Sequence, residues 1–141
     1  MNSEQLKTEI AEPKPRIVVV DDEAAVGAAV RDVLEADGYD IETPTDPQEA
    51  LPGLLRGAPD LVILDVNMPG MSGWEMCALL RRQSSTREVP ILFLTGRQEV
   101  RDRITAMQVG GSDYLAKPFG ADELRQKVRV LIQSRRRAEQ P

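Results

Sequence analysis

The sequence predicts an α/β fold, in which a doubly wound, five-stranded parallel sheet carries helices on both faces. Two observations support this prediction. Five short apolar runs alternate along the chain with five segments whose apolar residues recur at helical spacing. Short apolar strands joined by helical crossovers lie parallel in one sheet, with helices covering both sides. The length of 141 residues suits a single domain of ordinary size.

The domain is predicted to span residues 16–137, between a flexible leader (1–15) and a short tail (138–141). Its first element is the run Ile-Val-Val-Val at 17–20, which is rich in β-branched residues and typical of a buried strand. A helix is predicted over 23–36, because its valines and a leucine recur at helical spacing.

The second strand and second helix follow at once. Residues 39–43 are predicted to form a short strand. Asp46 followed by Pro47 indicates the N-terminus of a helix, because Asp caps the first turn and Pro suits its first position. Pro52 would interrupt the hydrogen bonding of this helix, so we expect it to be short or kinked.

The centre of the chain contains its most apolar run, Leu-Val-Ile-Leu at 61–64, which predicts a central strand covered on both faces. Ser72 then begins a capping box with Glu75, which predicts a helix running to about residue 83. A fourth strand is predicted over 91–95.

The last third of the chain continues the alternation of predicted helices and strands. Val100, Ile104 and Met107 mark one face of the fourth helix, and residues 114–116 form a short fifth strand. The apolar stripe of the final helix consists of Leu124, Val128, Leu131 and Ile132.

Composition excludes several classes of protein. The chain has no histidine, which rules out Ser-His-Asp and Cys-His catalysis and histidine-bearing zinc sites. Its one cysteine, Cys77, cannot form an internal disulfide and is interpreted as a small core residue. The net charge of −5 argues against a general nucleic-acid surface, and no apolar run is long enough to cross a bilayer. We therefore expect a cytoplasmic domain with no direct contact to nucleic acid or membrane.

Polar residues follow four of the five predicted strands: Asp21 and Asp22, then Asp65, Thr95 and Lys117. Each alone has an ordinary explanation, as a helix cap or an exposed lysine. Ligand sites in such sheets lie at the carboxyl ends of the strands, so these side chains are predicted to converge. Neighbouring carboxylates repel one another unless a cation joins them, and Mg²⁺ prefers oxygen ligands of this kind. Together with the lysine, Mg²⁺ would balance the three acids and allow a phosphoryl group to bind.

The motifs around these residues resemble the receiver domain of two-component response regulators, including the single-domain chemotaxis receivers. They follow one another in the order and at the intervals typical of that family, and the resemblance covers about residues 16–136. It implies a flavodoxin-like (βα)5 fold and a signalling switch that assists its own phosphorylation and dephosphorylation, not an enzyme. The matching segments are Val-Val-Val-Asp21-Asp22-Glu23, Leu-Asp65-Val-Asn67-Met68-Pro69-Gly70, Phe-Leu-Thr95-Gly96 and Asp113-Tyr114-Leu-Ala-Lys117-Pro118-Phe119.

The resemblance implies a role for each acid of the site. Asp65 is the residue that accepts the phosphoryl group, as an acyl phosphate. Asp22, Asp65 and the backbone carbonyl of Asn67 bind Mg²⁺, whereas Asp21 acts mainly through metal-bound water.

The resemblance also implies roles for the residues around the phosphoryl group. Thr95 and Lys117 hold its oxygens, and the bond between Lys117 and Pro118 is cis. Tyr114 is the switch residue, whose ring moves inward when Thr95 engages the phosphoryl group. Arg97 flanks the site, where a contact to phosphate and an ordinary solvated arginine are both open interpretations.

The same resemblance implies partners. A histidine kinase or a phosphotransfer protein supplies the phosphoryl group from its own histidine, so the absence of histidine here is no obstacle. The output surface consists of the last two helices and the fifth strand, and it serves a downstream protein target, an effector domain or a homodimer. The four residues after Arg137 are too few for an effector domain. The chain is therefore either a stand-alone regulator or a piece of a longer one.

Two other functions remain open at this point. A pseudo-receiver would keep the fold as a phosphorylation-independent interaction module, although every site residue is present. A Mg²⁺-dependent phosphatase of the haloacid dehalogenase type also uses a nucleophilic aspartate on an α/β fold. Those enzymes carry an Asp-x-Asp motif at the end of the first strand. Here the third position of that motif is Glu23, which disfavours this function.

Overall fold

The computed structural model describes residues 13–96 and 100–139. Residues 1–12 of the expected leader, Arg97 and the last two residues of the expected tail lie outside these ranges. Strands and helices alternate along the described chain, which confirms the predicted α/β fold. The elements are β1 (Arg16–Val20), α1 (Ala24–Glu35), β2 (Asp40–Glu42), α2 (Pro47–Arg56), β3 (Leu61–Asp65), α3 (Gly73–Arg82), β4 (Ile91–Thr95), α4 (Val100–Gln108), β5 (Asp113–Ala116) and α5 (Ala121–Glu139).

The five strands form one parallel sheet in the order β2-β1-β3-β4-β5. The chain moves outward from β1 to β2 and then returns past β1 to β3. The strand order therefore reverses between β1 and β3, which are paired through Val20 and Leu64. In open sheets of this type, a ligand site lies beyond the carboxyl ends of the strands at such a reversal.

The core consists of two apolar layers, one on each face of the sheet, because alternate residues of a strand point to opposite faces. One layer joins Val18, Leu64 and Phe93 to helices α2, α3 and α4. The other joins Ile17 and Ile63 to helices α1 and α5. The residues that these helices contribute to the two layers include Leu54, Met76, Leu80, Ala106, Val30, Leu34, Leu124, Val128 and Ile132.

Local signals set the starts of two helices as predicted. The side chain of Asp46 accepts hydrogen bonds from the backbone of Gln48 and Glu49, and that of Ser72 accepts one from Glu75. Both caps satisfy backbone N–H groups that have no partner within a helix.

Helix α2 is short, at ten residues, as expected, but it continues through Pro52. Pro52 lacks only the hydrogen bond that an N–H at its position would make to the carbonyl of Gln48. Leu54, two residues further on, is 2% exposed and holds the second half of the helix against the sheet. Tertiary packing thus overrides the local effect of the proline.

Helix α4 buries a different face from the one that its apolar pattern marks. Ile104 and Met107 are 52% and 54% exposed, whereas Ala106 is completely buried. The side chain of Val100 lies outside the described residues.

Cys77 is buried on α3, where burial raises the pKa of its thiol to about 11, which confirms its interpretation as a core residue. Within the described ranges, none of the helices combines the length and apolar character needed to span a bilayer.

Candidate functional site

Two acids lie at the carboxyl ends of the central strands. Asp21 follows β1 and Asp65 ends β3, directly after the paired residues Val20 and Leu64. Their side chains are almost completely buried, with residue exposures of 2% and 5%. Asp22 is exposed beside them, and one carboxylate oxygen from each of the three acids lies within 4.8 Å of the others. The reversal of strand order thus brings together the three acids that the sequence singles out.

Lys117 reaches this cluster from the end of β5. Its Nζ donates hydrogen bonds to Oδ2 of Asp21 at 2.9 Å and to Oδ1 of Asp65 at 3.2 Å. Burial lowers the pKa of Lys117, but the hydrogen bonds and charges of the two acids outweigh this effect and raise it overall. The ammonium group is therefore charged at neutral pH. The peptide bond between Lys117 and Pro118 is cis, as the resemblance implies.

Asp65 is held in an environment that opposes its ionisation. Its pKa is raised from 3.8 to about 6, chiefly by burial and then by the negative charge of Asp21. Lys117 lowers the pKa by its charge and hydrogen bond, whereas a hydrogen bond with Asp22 raises it again. Three acids and one ammonium group leave a net negative charge at neutral pH, so a divalent cation would relieve the repulsion.

The donor set suits a hard cation such as Mg²⁺, because every side-chain ligand that it offers is a carboxylate oxygen. Asp21 already uses both of its oxygens within the protein, since Oδ1 accepts a hydrogen bond from the backbone N–H of Glu23 and Oδ2 one from Lys117. Asp22 is exposed, and Asp65 uses only its Oδ1 in the hydrogen bond with Lys117, so these two acids are better placed than Asp21 for direct coordination. Asn67 is exposed on the loop after β3, two residues beyond Asp65.

Thr95 ends β4, the strand next to β3, and is 2% exposed. Within residues 13–96 and 100–139, its hydroxyl group has no hydrogen-bond partner. A buried hydroxyl group in this state costs about 1–3 kcal/mol of stability. A ligand with acceptor oxygens, such as a phosphoryl group, would supply the missing hydrogen bond.

Tyr114 lies on the same face of the sheet as Thr95. Tyr114 pairs with Phe93 and Ala116 pairs with Thr95, so Tyr114 and Thr95 are diagonal neighbours on adjacent strands. Such neighbours lie about 7–8 Å apart, within reach of an aromatic ring. The ring is partly buried against the layer that contains Phe93.

Residues 17–129 match the family model of the response regulator receiver domain. The chain belongs to this family.

Curated relatives of this receiver domain are response regulators. It is 40% identical over 118 residues to the phosphate regulon transcriptional regulatory protein PhoB of Rhizobium meliloti, a match that covers 84% of this chain and 52% of that protein. It is 42% identical over 117 residues to the response regulator MprA of Mycobacterium leprae, covering 83% and 50%. The chain thus spans about half the length of the curated relatives that it matches.

Solved receiver structures share its fold. The chemotaxis response regulator CheY4 of Vibrio cholerae superposes with a TM-score of 0.79 at 32% identity, covering 84% of this chain and 98% of that one. The signal receiver domain of a signal transduction histidine kinase from Syntrophus aciditrophicus gives a TM-score of 0.78 at 31% identity, covering 85% and 91%. These similarities confirm the flavodoxin-like architecture.

Sequence reasoning missed one residue that positions the site of this receiver domain. Gly73, the first residue of α3, lies directly against the backbone of Asp65, and its own N–H donates to the carbonyl of Val66. A Cβ at this position would overlap the carbonyl oxygen of Asp65 and lie 3.0 Å from its carbonyl carbon. The sequence shows only a glycine after a helix cap, which is too common to signal this contact.

Proposed function

We propose that this receiver domain accepts a phosphoryl group on Asp65 from a phosphohistidine of a partner histidine kinase or phosphotransfer protein, with the help of Mg²⁺. The observation that carries the proposal is the combination of an under-neutralised acidic cluster with a buried hydroxyl group that lacks a partner. Both features cost stability in the resting domain, and both would be relieved by a cation and a phosphoryl group.

Asp65 is suited to be the nucleophile. Its pKa of about 6 leaves the carboxylate ionised at neutral pH, and Lys117 fixes its orientation. In the transfer, a P–O bond forms to the carboxylate while the P–N bond to the donor histidine breaks. The carboxylate has no proton to lose, so no general base is needed. Catalysis then depends on in-line positioning and on neutralising the phosphoryl oxygens.

The remaining residues of the site supply this neutralisation. Mg²⁺ would be held by Asp22, Asp65 and the backbone carbonyl of Asn67, with Asp21 acting through water, and its chemistry is to neutralise phosphoryl oxygens. The ammonium group of Lys117 binds the same oxygens. The engagement of both Asp21 oxygens by protein donors supports its indirect role.

Thr95 and Tyr114 connect the chemistry to the surface. The hydroxyl group of Thr95 gains a partner when it moves toward a phosphoryl oxygen, and the ring of Tyr114 can then occupy the space beside it. Helix α4 begins five residues after Thr95, so this movement acts on the α4, β5 and α5 surface. Ile104 and Met107, each about half exposed on α4, offer apolar contacts there to a downstream protein target, an effector domain or a second copy.

A groove beside Lys117 suits the phosphoryl donor. This open groove, of about 440 Å³, is lined by small and apolar residues of α1 and of the segment after β5. Because Lys117 belongs both to the groove and to the acidic cluster, a helix docked in the groove would bring its histidine to Asp65. The lining residues are Ala25, Val26, Ala29, Lys117, Pro118 and Phe119.

We further propose that the receiver domain works in the cytoplasm by protein contact and does not itself bind nucleic acid. The net charge of the chain is −5, which is unfavourable for contact with phosphate backbones. The relative PhoB is named a transcriptional regulatory protein, and the match covers about half of it.

The proposal is tested by intact mass after incubation with Mg²⁺ and acetyl phosphate. We expect the gain of one phosphoryl group, abolished by EDTA and by Asp65→Asn. Asp40→Asn, which neutralises an exposed acid on β2, is the matched control and should leave the modification unchanged. An unmodified mass in the presence of bound Mg²⁺ would contradict the proposal and support the pseudo-receiver. Steady turnover of unrelated phosphate esters would instead support the phosphatase.

A further inference from the structure

Two cations from different helices lie beside the ring of Tyr114. The guanidinium carbon of Arg103, on α4, is 5.4 Å from the centre of the ring, and Nζ of Lys127, on α5, is 5.9 Å from it. Both distances fall within the range of about 6 Å in which a cation is attracted to an aromatic ring. The ring of Tyr114 therefore joins the two helices that flank β5.

Asp113 fixes the position of one of these cations. Its Oδ2 accepts a hydrogen bond from Nζ of Lys127 at 3.1 Å, and its Oδ1 accepts one from the backbone N–H of Tyr114 at 2.8 Å. One carboxylate thus ties the lysine to the strand residue that carries the ring. Lys127 keeps its place beside the ring even though its long side chain is partly exposed.

We propose that Arg103 and Lys127 form a two-cation clamp that holds the ring of Tyr114 in its resting position and opposes its movement toward Thr95. The proposal rests on the proposed function, in which the ring moves when the domain is phosphorylated. Arg103 is exposed, and Lys127 is held by Asp113. Neither cation can follow the ring toward the buried Thr95 without losing water from its charge, so the movement breaks both contacts.

The clamp sets how much of the domain is in the switched state before phosphorylation. A contact that exists only in the resting state shifts the equilibrium by its full free energy. For cation–ring contacts at partly exposed positions, this corresponds to about a two- to five-fold change in the equilibrium for each cation removed. Arg103 and Lys127 are thus positioning residues that act on the switch through Tyr114.

The first test needs no phosphoryl donor. The chain has two tyrosines, so ¹H–¹³C spectra of protein labelled at the tyrosine ring resolve Tyr114 once Tyr39→Phe assigns the other signal. We expect Arg103→Gln and Lys127→Gln to shift the Tyr114 ring signals. Arg129→Gln removes an exposed cation from α5 away from Tyr114 and should leave them in place. Unchanged signals in both clamp variants would overturn the proposal.

The second test uses beryllium fluoride with Mg²⁺, a non-covalent mimic of the phosphoryl group. Half-saturation is expected at about two- to five-fold lower concentration in Arg103→Gln and in Lys127→Gln, and near the wild-type value in Arg103→Lys, which keeps a cation. In a Tyr114→Leu background, Arg103→Gln should have no effect, because the clamp acts through the ring. Equal half-saturation in wild type and both clamp variants, or an equal effect without the ring, would overturn the clamp.

The two tests separate the inference from the function on which it rests. If no form of the domain binds beryllium fluoride, the proposed function fails. Shifted ring signals in the first test would then still support the resting contact of the clamp. If wild type and both clamp variants bind beryllium fluoride equally, and the variants leave the Tyr114 ring signals unchanged, the proposed function stands and the clamp fails.

Discussion

Replacing Asp65 by asparagine is expected to stabilise the metal-free receiver domain at neutral pH, although it removes the proposed phosphoryl acceptor. Asp65 is 5% exposed, and its pKa is raised from 3.8 to about 6, chiefly by burial and then by the charge of Asp21. Each unit of pKa corresponds to about 1.4 kcal/mol, so ionising this group in the folded state costs up to about 3 kcal/mol. Asparagine has nearly the same shape and carries no charge, so it avoids this cost.

The pH dependence follows from the direction of the change. The pKa of Asp65 is higher in the folded state, so the folded protein keeps a proton that the unfolded chain has already lost. The stability that this proton gives is fully present below about pH 3.8 and is lost as the pH rises to about 6. We therefore expect wild type and Asp65→Asn to be equally stable near pH 4, and the variant to be more stable above pH 6.

The assay is urea unfolding in EDTA at a series of pH values. The one tryptophan, Trp74, reports unfolding because its ring packs against Phe93 with 4.6 Å between ring centres. Asp40→Asn controls for the loss of one negative charge at an exposed position. Adding Mg²⁺ should stabilise wild type more than the variant and narrow the gap. A variant that is no more stable than wild type at pH 7.5 without metal, or a gap that does not change with pH, would refute the reasoning.

Three further predictions concern the surroundings of Asp65. Gly73→Ala should destabilise the domain by about 2 kcal/mol and weaken Mg²⁺ binding, because the new methyl group displaces the backbone of Asp65. Urea unfolding measures the loss of stability, and Mg²⁺ titration measures the loss of affinity. Gly53→Ala, which meets open space inside α2, is its control and should be slightly stabilising. Thr95→Val should leave the free energy of unfolding unchanged or raise it by about 1 kcal/mol, because it removes a buried hydroxyl group without a partner. It should also abolish the response of the Tyr114 ring signals to beryllium fluoride. A clear loss of stability would show that the hydroxyl group has a partner in the resting domain. Ala29→Arg should slow phosphotransfer from a kinase at least ten-fold without changing modification by acetyl phosphate. Ala28→Arg, on the same helix but outside the groove, should leave both rates unchanged, and an equal loss in the two variants would contradict docking in the groove.

The fold could be predicted because its signals are local and periodic. The apolar run at 61–64 lies within a strand buried on both faces, and the caps at Asp46 and Ser72 begin helices where the sequence places them. The sequence predicts the second strand over 39–43, but the strand spans only Asp40–Glu42, because an edge strand has one neighbour and its ends are held less firmly. The convergence of the acids followed from topology, since the carboxyl ends of parallel strands share one edge of the sheet.

Hydrogen bonds from a side chain to the backbone of a distant segment could not be predicted. Arg81 donates hydrogen bonds to the carbonyls of Val89, in the segment before β4, and of Gly110, after α4. A carbonyl group leaves no trace in the identity of its residue, so no pattern of side chains reveals this contact. The exposure of Ile104 and Met107 also could not be predicted from the sequence. Helical periodicity shows which residues share a face of the helix, but not whether another element covers that face.

The features that destabilise the resting site are also those that would make it responsive. Asp65 ionises at a cost because it is buried beside Asp21, and the hydroxyl of Thr95 is buried without a partner in the described part of the chain. A ligand shifts a conformational equilibrium only by the difference between its free energies of interaction with the two states. A site whose groups were already satisfied would gain little from a cation and a phosphoryl group, and would have little free energy with which to move Thr95 and release Tyr114 from its two cations. The instability of the acidic cluster is therefore the source of the free energy for the proposed switch.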